Sequence, residues 1–468
     1  MGLWKHNIEA TPRLLLFFCS VPVMLIASSL SGIGFVLKSA LFLVTGTVLW
    51  MVWFVFLFLI ALPTTDDSLR NRVRALKRVA LVSLAVLFTA GIVEAVLVPM
   101  LSSGLLSTER WSRESSDVSD GLTKSYAYND ATALTHQALN RLFEGDNPYA
   151  HANVVQAMVT FAGSYDRVTP LRTGRFAEAW PYPEPAELLE LWQQALKSPQ
   201  QVPTELESRL NYPAGSFLLP APLVAMGIAD LRIVNAVYIV LALACVIWLI
   251  PKKWRLVFIA AVLISLEIPN SVAAGETGTL LFPLLLLAWV LAPRRLWISA
   301  LFMGAAVATK QVAWFHLPFY LILVLTTKGG WRAILATTII VIVFLATNIP
   351  FVISDPGLWL LSVWAPMIDP MFPLGVGMVS VVTSGILNIR SSLLFAVLEV
   401  GVMLAAMLWY IRNCARYPSA GPILAILPLF FAWRSLWPYF FYTDIIVVAG
   451  ILINEYGGPR LRPSQVDR

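Results

Sequence analysis

The stretch LLLFFCSVPVMLIASSLSGIGFVL, residues 14 to 37, carries no charged side chain along its whole length. A helix of roughly 20 apolar residues crosses the hydrocarbon layer of a bilayer, so this stretch predicts a membrane helix. It is longer than the apolar region of a signal peptide, about 7–15 residues, and a second apolar run follows at residues 40 to 62. We therefore expect two consecutive membrane helices, neither of them a cleaved leader.

The composition of the whole chain agrees with this prediction. Of its 468 residues, 58% are hydrophobic and 13% are charged, with 17 Trp and 25 Phe. Soluble domains average roughly 45–50% apolar and about 25% charged residues, so the chain is not a soluble globular enzyme, and its many aromatic residues exclude disorder. The three cysteines lie in or beside apolar runs and predict neither disulfides nor a metal site. The predicted fold class is an all-α polytopic membrane protein without a cofactor.

Basic connectors predict the topology. The connector Pro63 to Arg78 carries five basic residues against two acidic ones, so the positive-inside rule makes it cytoplasmic and sends the third run, residues 79 to 101, outward. Later basic connectors are all cytoplasmic only if the apolar runs 217–228 and 374–389 do not cross. This condition predicts about twelve transmembrane helices (range 10–13) in the cytoplasmic membrane, with both termini inside.

The largest polar segment then lies outside the cell. It divides the chain into N-terminal membrane helices (1–101), an external module (102–215) and a C-terminal membrane domain (216–468) with re-entrant segments. The module holds 14 acidic and 9 basic residues, so the basic residues are concentrated elsewhere in the chain and nucleic acid is not implied. Helical patterns cover residues 130–143 and 185–197, and the second has a broad apolar side typical of a helix on a bilayer surface.

Polar residues, most of them ionisable, collect at the predicted outer face. Such groups are costly near a membrane unless they are paired or hydrated, so their convergence indicates a site, although long side chains that reach water from the interface are the alternative. These residues are Asp130, Glu267, Glu276, Lys310 with Gln311, Asp355, Asp369 and Arg434.

Four motifs surround these residues. Tyr128-Asn129-Asp130 precedes a helix and Gly145-Asp146-Asn147-Pro148-Tyr149, and Tyr212-Pro213-Ala214 follows later. Gly275 to Thr279 precedes an apolar run, and Gly304 to Lys310 precedes another that contains Pro318. In this order the motifs resemble the polyprenyl-phosphate-mannose-dependent alpha-mannosyltransferases, within the C-type (GT-C) polytopic membrane glycosyltransferases. The resemblance covers residues 128 to 320, under half of the chain.

The resemblance implies transfer of a hexose, mannose or a similar sugar, from a polyprenyl-phosphate donor to a lipid or glycan acceptor. It also implies that Tyr149, Tyr212, Glu276 and Gln311 contact substrate. Ala214, Glu276 and Gln311 differ from the residues that relatives often have at these positions, which leaves the sugar and the acceptor open. The stereochemical outcome and any metal requirement are open as well.

The residues support this chemistry independently. Transfer from a lipid phosphate needs a base for the attacking hydroxyl and cations for the departing phosphate. Asp130 is the predicted general base, with a helix N-cap as the alternative. Lys310 and Arg434 are the predicted phosphate ligands, with interfacial snorkelling and an aromatic interfacial belt as the alternatives.

Three further residues have two interpretations each. Glu276 is either a ligand for sugar hydroxyls or an interfacial acid in a connector. His316 either contacts phosphate or sugar or is a packed histidine bonded to a neighbouring helix, and His136 is either a surface-helix residue or a catalytic partner.

Other functions compete with the glycosyltransferase. A lipid or glycan transporter or flippase would place ionisable groups near the bilayer midplane, and a lipid-diphosphate-dependent glycan polymerase or ligase would share the large outer loop and the cations. No phosphate-loop motif or zinc-ligand pattern occurs, and no predicted cytoplasmic loop is long enough for a soluble sugar-nucleotide domain, which favours a membrane-bound donor.

Overall fold

The computed structural model describes residues 11–102, 128–161 and 163–456, and these are mostly helical. The longest helices are Pro12–Val36, Ala40–Ala61, Val73–Ser102, Leu231–Leu249, Gly330–Ser354 and Leu393–Asn413. Shorter apolar helices between and after them are Arg255–Ile264, Glu267–Ala273, Gly278–Leu291, Leu296–Val307, Val312–Lys328, Gly421–Ile426 and Thr443–Gly450. The predicted helical class is therefore confirmed.

Six helical segments in the described ranges are long and apolar enough to cross a membrane: Pro12–Val36, Ala40–Ala61, Leu231–Leu249, Gly330–Ser354, Leu393–Asn413 and Trp437–Glu455. A seventh span results if Lys252–Ile264 and Glu267–Ala273, which meet at a 50° bend, are taken together. The protein is thus a membrane protein with several long apolar helices, whereas the number of about twelve spans stays a prediction. Helices such as Leu296–Val307, with 12 residues, are shorter than the roughly 20 residues of an upright span.

The connectors of the helical bundle lie at two ends. At one end Arg13 binds Glu455, Arg294 donates a hydrogen bond to the Ile453 carbonyl, and Lys328 donates to the Pro293 carbonyl. The basic connectors that contain these arginines and lysines therefore meet at the same end. At the opposite end Tyr182 packs on Phe35, Tyr149 packs on Phe351, and Tyr128 donates to Asp230. The polar module thus covers the end without the basic connectors.

Arg13 provides a stability test of this first end. Its side chain is 1% exposed, Nη1 lies 2.5 Å from Glu455 Oε2, and Nε donates to the Ile60 carbonyl at 2.5 Å. Removing Arg13 leaves the Glu455 carboxylate, which is 19% exposed, without its cation, so we expect Arg13→Ala to lower the free energy of unfolding by about 1.5–3 kcal/mol. Unfolding in mixed detergent micelles measures it, with the exposed Arg74→Ala as control. A loss below about 1 kcal/mol would contradict the assigned role.

The module has a hydrophobic core of its own. Its main helices are Asp130–Glu144, Val154–Thr160 and Pro185–Lys197, which confirms both helical predictions. The prediction that the last of these lies on a bilayer surface is wrong, because Leu188, Leu191 and Trp192 are buried against the module core. An amphipathic pattern shows that one face avoids water, but it does not identify what covers that face.

The two segments predicted not to cross consist of short elements. The first contains Gly215–Leu218 and Ala221–Ala225, and the second contains Ser380–Thr383. The second also holds a two-residue strand, Leu374–Gly375, which pairs in parallel with Arg434–Ser435. A helix of four or five residues rises only about 6–8 Å, far less than a bilayer, so none of these elements crosses alone. The strand pair was not predicted because two residues carry no periodic signal.

Candidate active site

A cavity of about 1630 Å³ lies between the module and the adjacent end of the helices. Six of the eight predicted site residues line it: Asp130, Tyr212, Glu276, Lys310, Gln311 and Arg434. Tyr149 and His316 do not line it. The predicted convergence of ionisable groups is thus present in the structure, while the chemical role of each residue stays a prediction.

Asp130 is the first residue of its helix. Asn129, not Asp130, is the N-cap, because the Asn129 side chain accepts a hydrogen bond from the Thr132 amide at 2.9 Å. Asp130 Oδ1 accepts from the Ala131 amide and Oδ2 from the Thr169 amide, both at 2.7 Å. The alternative of Asp130 as the cap is therefore wrong, and the backbone bonds fix the carboxylate where it lines the cavity.

The surroundings of Asp130 affect its proton affinity in opposite directions. Burial raises the pKa of its carboxyl, while the bonds from Thr169 and Ala131 and the charge of Arg434 lower it. The Thr169 side chain supplies a third hydrogen bond, so three of the about four lone-pair directions of the carboxylate are used and one remains free. A carboxylate with a raised pKa and a free lone pair is able to accept a proton from a hydroxyl in the cavity.

Lys310 lies in the turn between Leu296–Val307 and Val312–Lys328, and 7% of it is exposed. Its Nζ donates to Thr277 Oγ1 at 2.5 Å and lies 5.3 and 5.8 Å from the ring centroids of Tyr212 and Tyr439. Burial lowers the pKa of the ammonium to about 8, and the charge of Glu276 opposes this shift. The ammonium has three donors, so after the Thr277 bond it keeps donors for an anion in the cavity.

A close backbone contact holds the Lys310 turn in place. The Gly215 amide donates to the Ala308 carbonyl at 2.7 Å. A Cβ at position 215 would lie 2.5 Å from that carbonyl oxygen, so only glycine allows this approach. The end of the polar module is therefore fastened to the turn that carries the cation.

Arg434 lies on the second strand of the two-residue pair, and its half-buried side chain lines the cavity. Its Nη1 is buried and has no hydrogen-bond partner among the described residues. A buried guanidinium N–H without a partner is costly, and a phosphate or carboxylate oxygen would satisfy it. The charge of Arg434 also lowers the pKa of Asp130, so the cation and the carboxylate face the same part of the cavity.

Glu276 is half-buried beside the Lys310 ammonium. Burial raises the pKa of its carboxyl, and the charges of Lys310 and Arg167 lower it. It lines the cavity together with both cations, which suits hydrogen bonds to sugar hydroxyls.

Gln311 and the two tyrosines of the motifs support the cavity wall. Gln311 Nε2 donates to the carbonyls of Asn211 and Val363, each at 2.7 Å, so its two amide donors are already used. Tyr149 is buried and donates from its hydroxyl to the Tyr212 carbonyl at 2.9 Å. Tyr149 therefore positions Tyr212 rather than contacting a substrate in the cavity.

His316 and His136 are both packed away from the cavity. His316 is fully buried, and its Nδ1 accepts a hydrogen bond from Trp289 Nε1 at 3.1 Å. His136 is buried as well and stacks on Phe161 with 4.2 Å between ring centroids. The prediction of a phosphate or sugar contact for His316 is therefore not met by its position. Both predicted roles of His136 are wrong, because a ring stacked in the module core is neither on the surface nor beside Asp130's cavity.

Several cavity residues were not predicted. Arg167, Arg172, Glu207 and Arg390 line it. The strand Leu374–Gly375, which pairs with Arg434–Ser435, lines it as well. Arg390 could have been identified from the sequence, because a basic residue in a predicted outer connector departs from the positive-inside rule. The cavity residues of the module could not, since a polar loop of more than 100 residues contains many charged side chains and nothing distinguishes these from the others.

Glu207 and Asp369 form a carboxyl pair in the cavity wall. Glu207 is 3% exposed, and Arg209 Nη1 lies 2.9 Å from Asp369 Oδ1. Burial and the neighbouring Asp369 carboxyl raise the pKa of Glu207 to about 8. The Glu207 amide also donates to the Thr169 carbonyl, and the Thr169 amide donates to Asp130. The backbone of Thr169 thus links this pair to Asp130.

This pair predicts how stability depends on pH. Because the folded-state pKa of Glu207 lies above its unfolded value, the folded protein binds the extra proton and loses stability as the pH rises from about 4.5 to about 8. We expect Glu207→Gln to make the melting temperature less dependent on pH in this window, with its largest gain near pH 8. Melting curves in detergent from pH 5 to 9 measure this, and parallel curves for parent and variant would contradict it.

One arm of the cavity extends between two membrane helices. Its walls include Gly32 and Phe35 of the first helix and Ala396, Val400 and Leu404 of Leu393–Asn413. All five are exposed, and Leu404 lies about halfway along its helix. We infer that the cavity opens sideways between these two helices, at a level where apolar helix surfaces would face lipid.

Comparison with family models, curated proteins and solved structures gave no match. The features of this chain that bear on its function are consequently the geometry of the cavity and the four motifs that line or support it.

Proposed function

We propose that the protein is an integral membrane glycosyltransferase of the GT-C type. It moves a hexose, mannose or a similar sugar, from a polyprenyl-phosphate donor to a lipid or glycan acceptor on the outer face of the cytoplasmic membrane. One observation carries the proposal: a carboxylate, Asp130, and two cations, Lys310 and Arg434, line one cavity that opens sideways toward the lipid. A soluble substrate would not need this lateral opening, whereas a polyprenyl chain would.

The proposed reaction uses these three residues. The acceptor hydroxyl attacks C1 of the sugar, and its proton passes to the Asp130 carboxylate. The bond between C1 and the phosphate oxygen breaks, and its electron pair remains on the polyprenyl phosphate. Lys310 and Arg434 stabilise the negative charge that develops there. The acceptor gains the sugar, and protonated Asp130 returns its proton to water.

The proposed topology has twelve passes with both termini inside. It is supported by the chain order, because successive connectors alternate between the end of the basic clusters and the end of the module. Under the positive-inside rule the basic end is cytoplasmic, which makes the module and the cavity external. A helix as short as Leu296–Val307 can serve as a pass in this topology, because the chain beyond its outer end lines the polar cavity and its backbone is not exposed to lipid.

Cysteine labelling tests the topology. In a background without the three native cysteines, we expect an impermeant maleimide to label Ser198→Cys in the module in intact cells. Ser68→Cys, in the basic connector after the second helix, should react only after lysis. Both serines are exposed, so accessibility within the protein is matched. The reverse pattern would contradict the external site.

Donor consumption tests the activity itself. Purified protein in detergent is given radiolabelled polyprenyl-phosphate mannose and a crude membrane extract as acceptor. We expect labelled product together with free polyprenyl phosphate in equal amounts. Movement of intact donor across a vesicle membrane without product would instead indicate a flippase. Product formed only from a lipid-diphosphate sugar would indicate the polymerase or ligase.

A further inference from the structure

The cavity contains a second pair of cations, separate from Lys310 and Arg434. Arg172 and Arg390 both line it, and their guanidinium carbons lie 5.2 and 5.7 Å from the ring centroid of Trp180. Arg172 Nη1 donates to the Arg390 carbonyl at 3.0 Å, which joins the two segments. Two guanidinium groups are thus gathered against one aromatic ring.

Carboxylates do not balance this pair among the described residues. Among the described residues the pair makes one salt bridge, in which Glu178 Oε2 lies 3.9 Å from Arg390 Nη1, and the side chains of Arg390 and Glu178 are 54% and 95% exposed. An exposed ion pair of this kind contributes little. Arg172 makes no salt bridge with a described residue, and its buried Nε has no hydrogen-bond partner there. Like charges held together are costly unless an anion joins them.

The position of the pair relative to Asp130 indicates which substrate it faces. Arg172 follows Thr169, whose amide binds the Asp130 carboxylate, by three residues. Three residues of extended chain cover at most about 10 Å, so the two backbones lie within about two sugar rings of one another. The Arg172 amide donates to the Pro370 carbonyl at 2.8 Å, which fixes this stretch. The cations therefore lie near the base.

We propose that Arg172 and Arg390 bind an oxyanion, phosphate or carboxylate, carried by the acceptor. The acceptor is then an acidic molecule whose anionic group lies one or two sugar units from the attacking hydroxyl. The planar guanidinium forks match either oxyanion, and Trp180 keeps both forks in place. That the ligand is a sugar acceptor rests on the proposed function. The anion-binding site itself is inferred from the side chains alone.

Binding of two matched probes tests the subsite. Full-length protein in phosphatidylcholine nanodiscs is titrated with octyl α-mannoside 6-phosphate and with octyl α-mannoside. We expect the parent to bind the phosphorylated probe at least about tenfold more tightly, since each charge-assisted contact contributes a factor of ten or more. Arg172→Gln/Arg390→Gln should remove this preference. Arg175→Gln, an exposed arginine outside the cavity, should keep it.

Three outcomes would overturn the proposal. They are a parent without preference, a double glutamine variant that retains it, and a preference lost in Lys310→Met instead, which would assign the phosphate to the other cations. Should the glutamine variant not fold, Arg172→Lys/Arg390→Lys keeps the charge without the fork and should show a reduced preference. A preference unchanged in this lysine variant would also contradict the subsite.

Two further arms separate the sources of the anion and the two proposals. If nanodiscs with phosphatidylglycerol abolish the preference in the parent, the pair binds a bilayer headgroup and the acceptor assignment is overturned. Consumption of polyprenyl-phosphate mannose is measured in parallel. A parent that prefers the phosphorylated probe but consumes no donor would refute the glycosyltransferase while the anion site stands.

Discussion

Asp130→Asn is expected to lower the rate of sugar transfer by about 10² to 10⁴, the usual contribution of a positioned general base. The fold should be retained, because the N-cap of this helix is Asn129 and the substitution leaves the cap in place. The side-chain oxygen of the introduced asparagine can accept only one of the two backbone amides, Ala131 or Thr169, so a loss of stability of about 1 kcal/mol accompanies the loss of the proton acceptor. Turnover of polyprenyl-phosphate mannose and melting temperature, measured on the same preparation, separate the two effects.

Asp355→Asn is the matched control for this variant. Asp355 caps the helix Pro356–Val363 by accepting from the Leu358 amide at 2.9 Å, and it does not line the cavity. The same chemical change there should leave turnover as in the parent. If Asp130→Asn retains turnover within a few-fold of the parent, Asp130 is not the base. The role would then pass to Glu276 or Asp369, which line the cavity, and not to the exposed Asp146.

Loss of both cations is expected to weaken donor binding by a factor as large as the loss of rate expected for Asp130→Asn. Lys310→Met and Arg434→Gln should each weaken binding of polyprenyl-phosphate mannose by about tenfold to a hundredfold, because each removes a charge-assisted contact. The double variant should lose about 10² to 10⁴. Equilibrium binding in detergent measures this, with Arg175→Gln as the control for loss of a positive charge. Variants that bind like the parent would refute the phosphate assignment.

The pH dependence of the rate gives a second measure of Lys310. Since burial lowers the pKa of Lys310 to about 8, its ammonium loses its proton as the pH rises through that value. Transfer should therefore fall above about pH 8. Lys310→Arg keeps its charge at that pH and should move the fall to higher pH. An unchanged alkaline limb in Lys310→Arg would assign the limb to another group.

The sequence allowed prediction of the residues that meet at one end but not of their orientation. Run lengths and basic connectors placed Asp130, Lys310 and Arg434 at a common level. His316 was predicted to lie near the same level of the membrane, yet its side chain contacts Trp289 inside the bundle. Hydropathy carries no information on which side of a buried helix a residue lies, so this orientation could not be predicted. The cap shows the same limit, since the backbone angles of Asn129 decide which of two adjacent residues starts the helix.

Contacts between segments far apart in the chain could not be predicted from the sequence. Arg172 and Arg390 meet across 218 positions, and Glu207 meets Asp369 across the module and a later connector. Neither pair has a spacing or motif that links its members. The broad apolar side of Pro185–Lys197 predicted burial, but only the packing against the module core showed that protein rather than lipid covers it.

The most direct test of the central claim is a cryo-EM structure of Asp130→Asn with polyprenyl-phosphate mannose, since the variant should bind the donor without consuming it. We predict the phosphate within about 3 Å of Lys310 Nζ and the Arg434 guanidinium, C1 of the sugar toward residue 130, and the polyprenyl chain between the first helix and Leu393–Asn413. A donor phosphate bound away from both cations, or a chain that leaves the cavity elsewhere, would contradict the account.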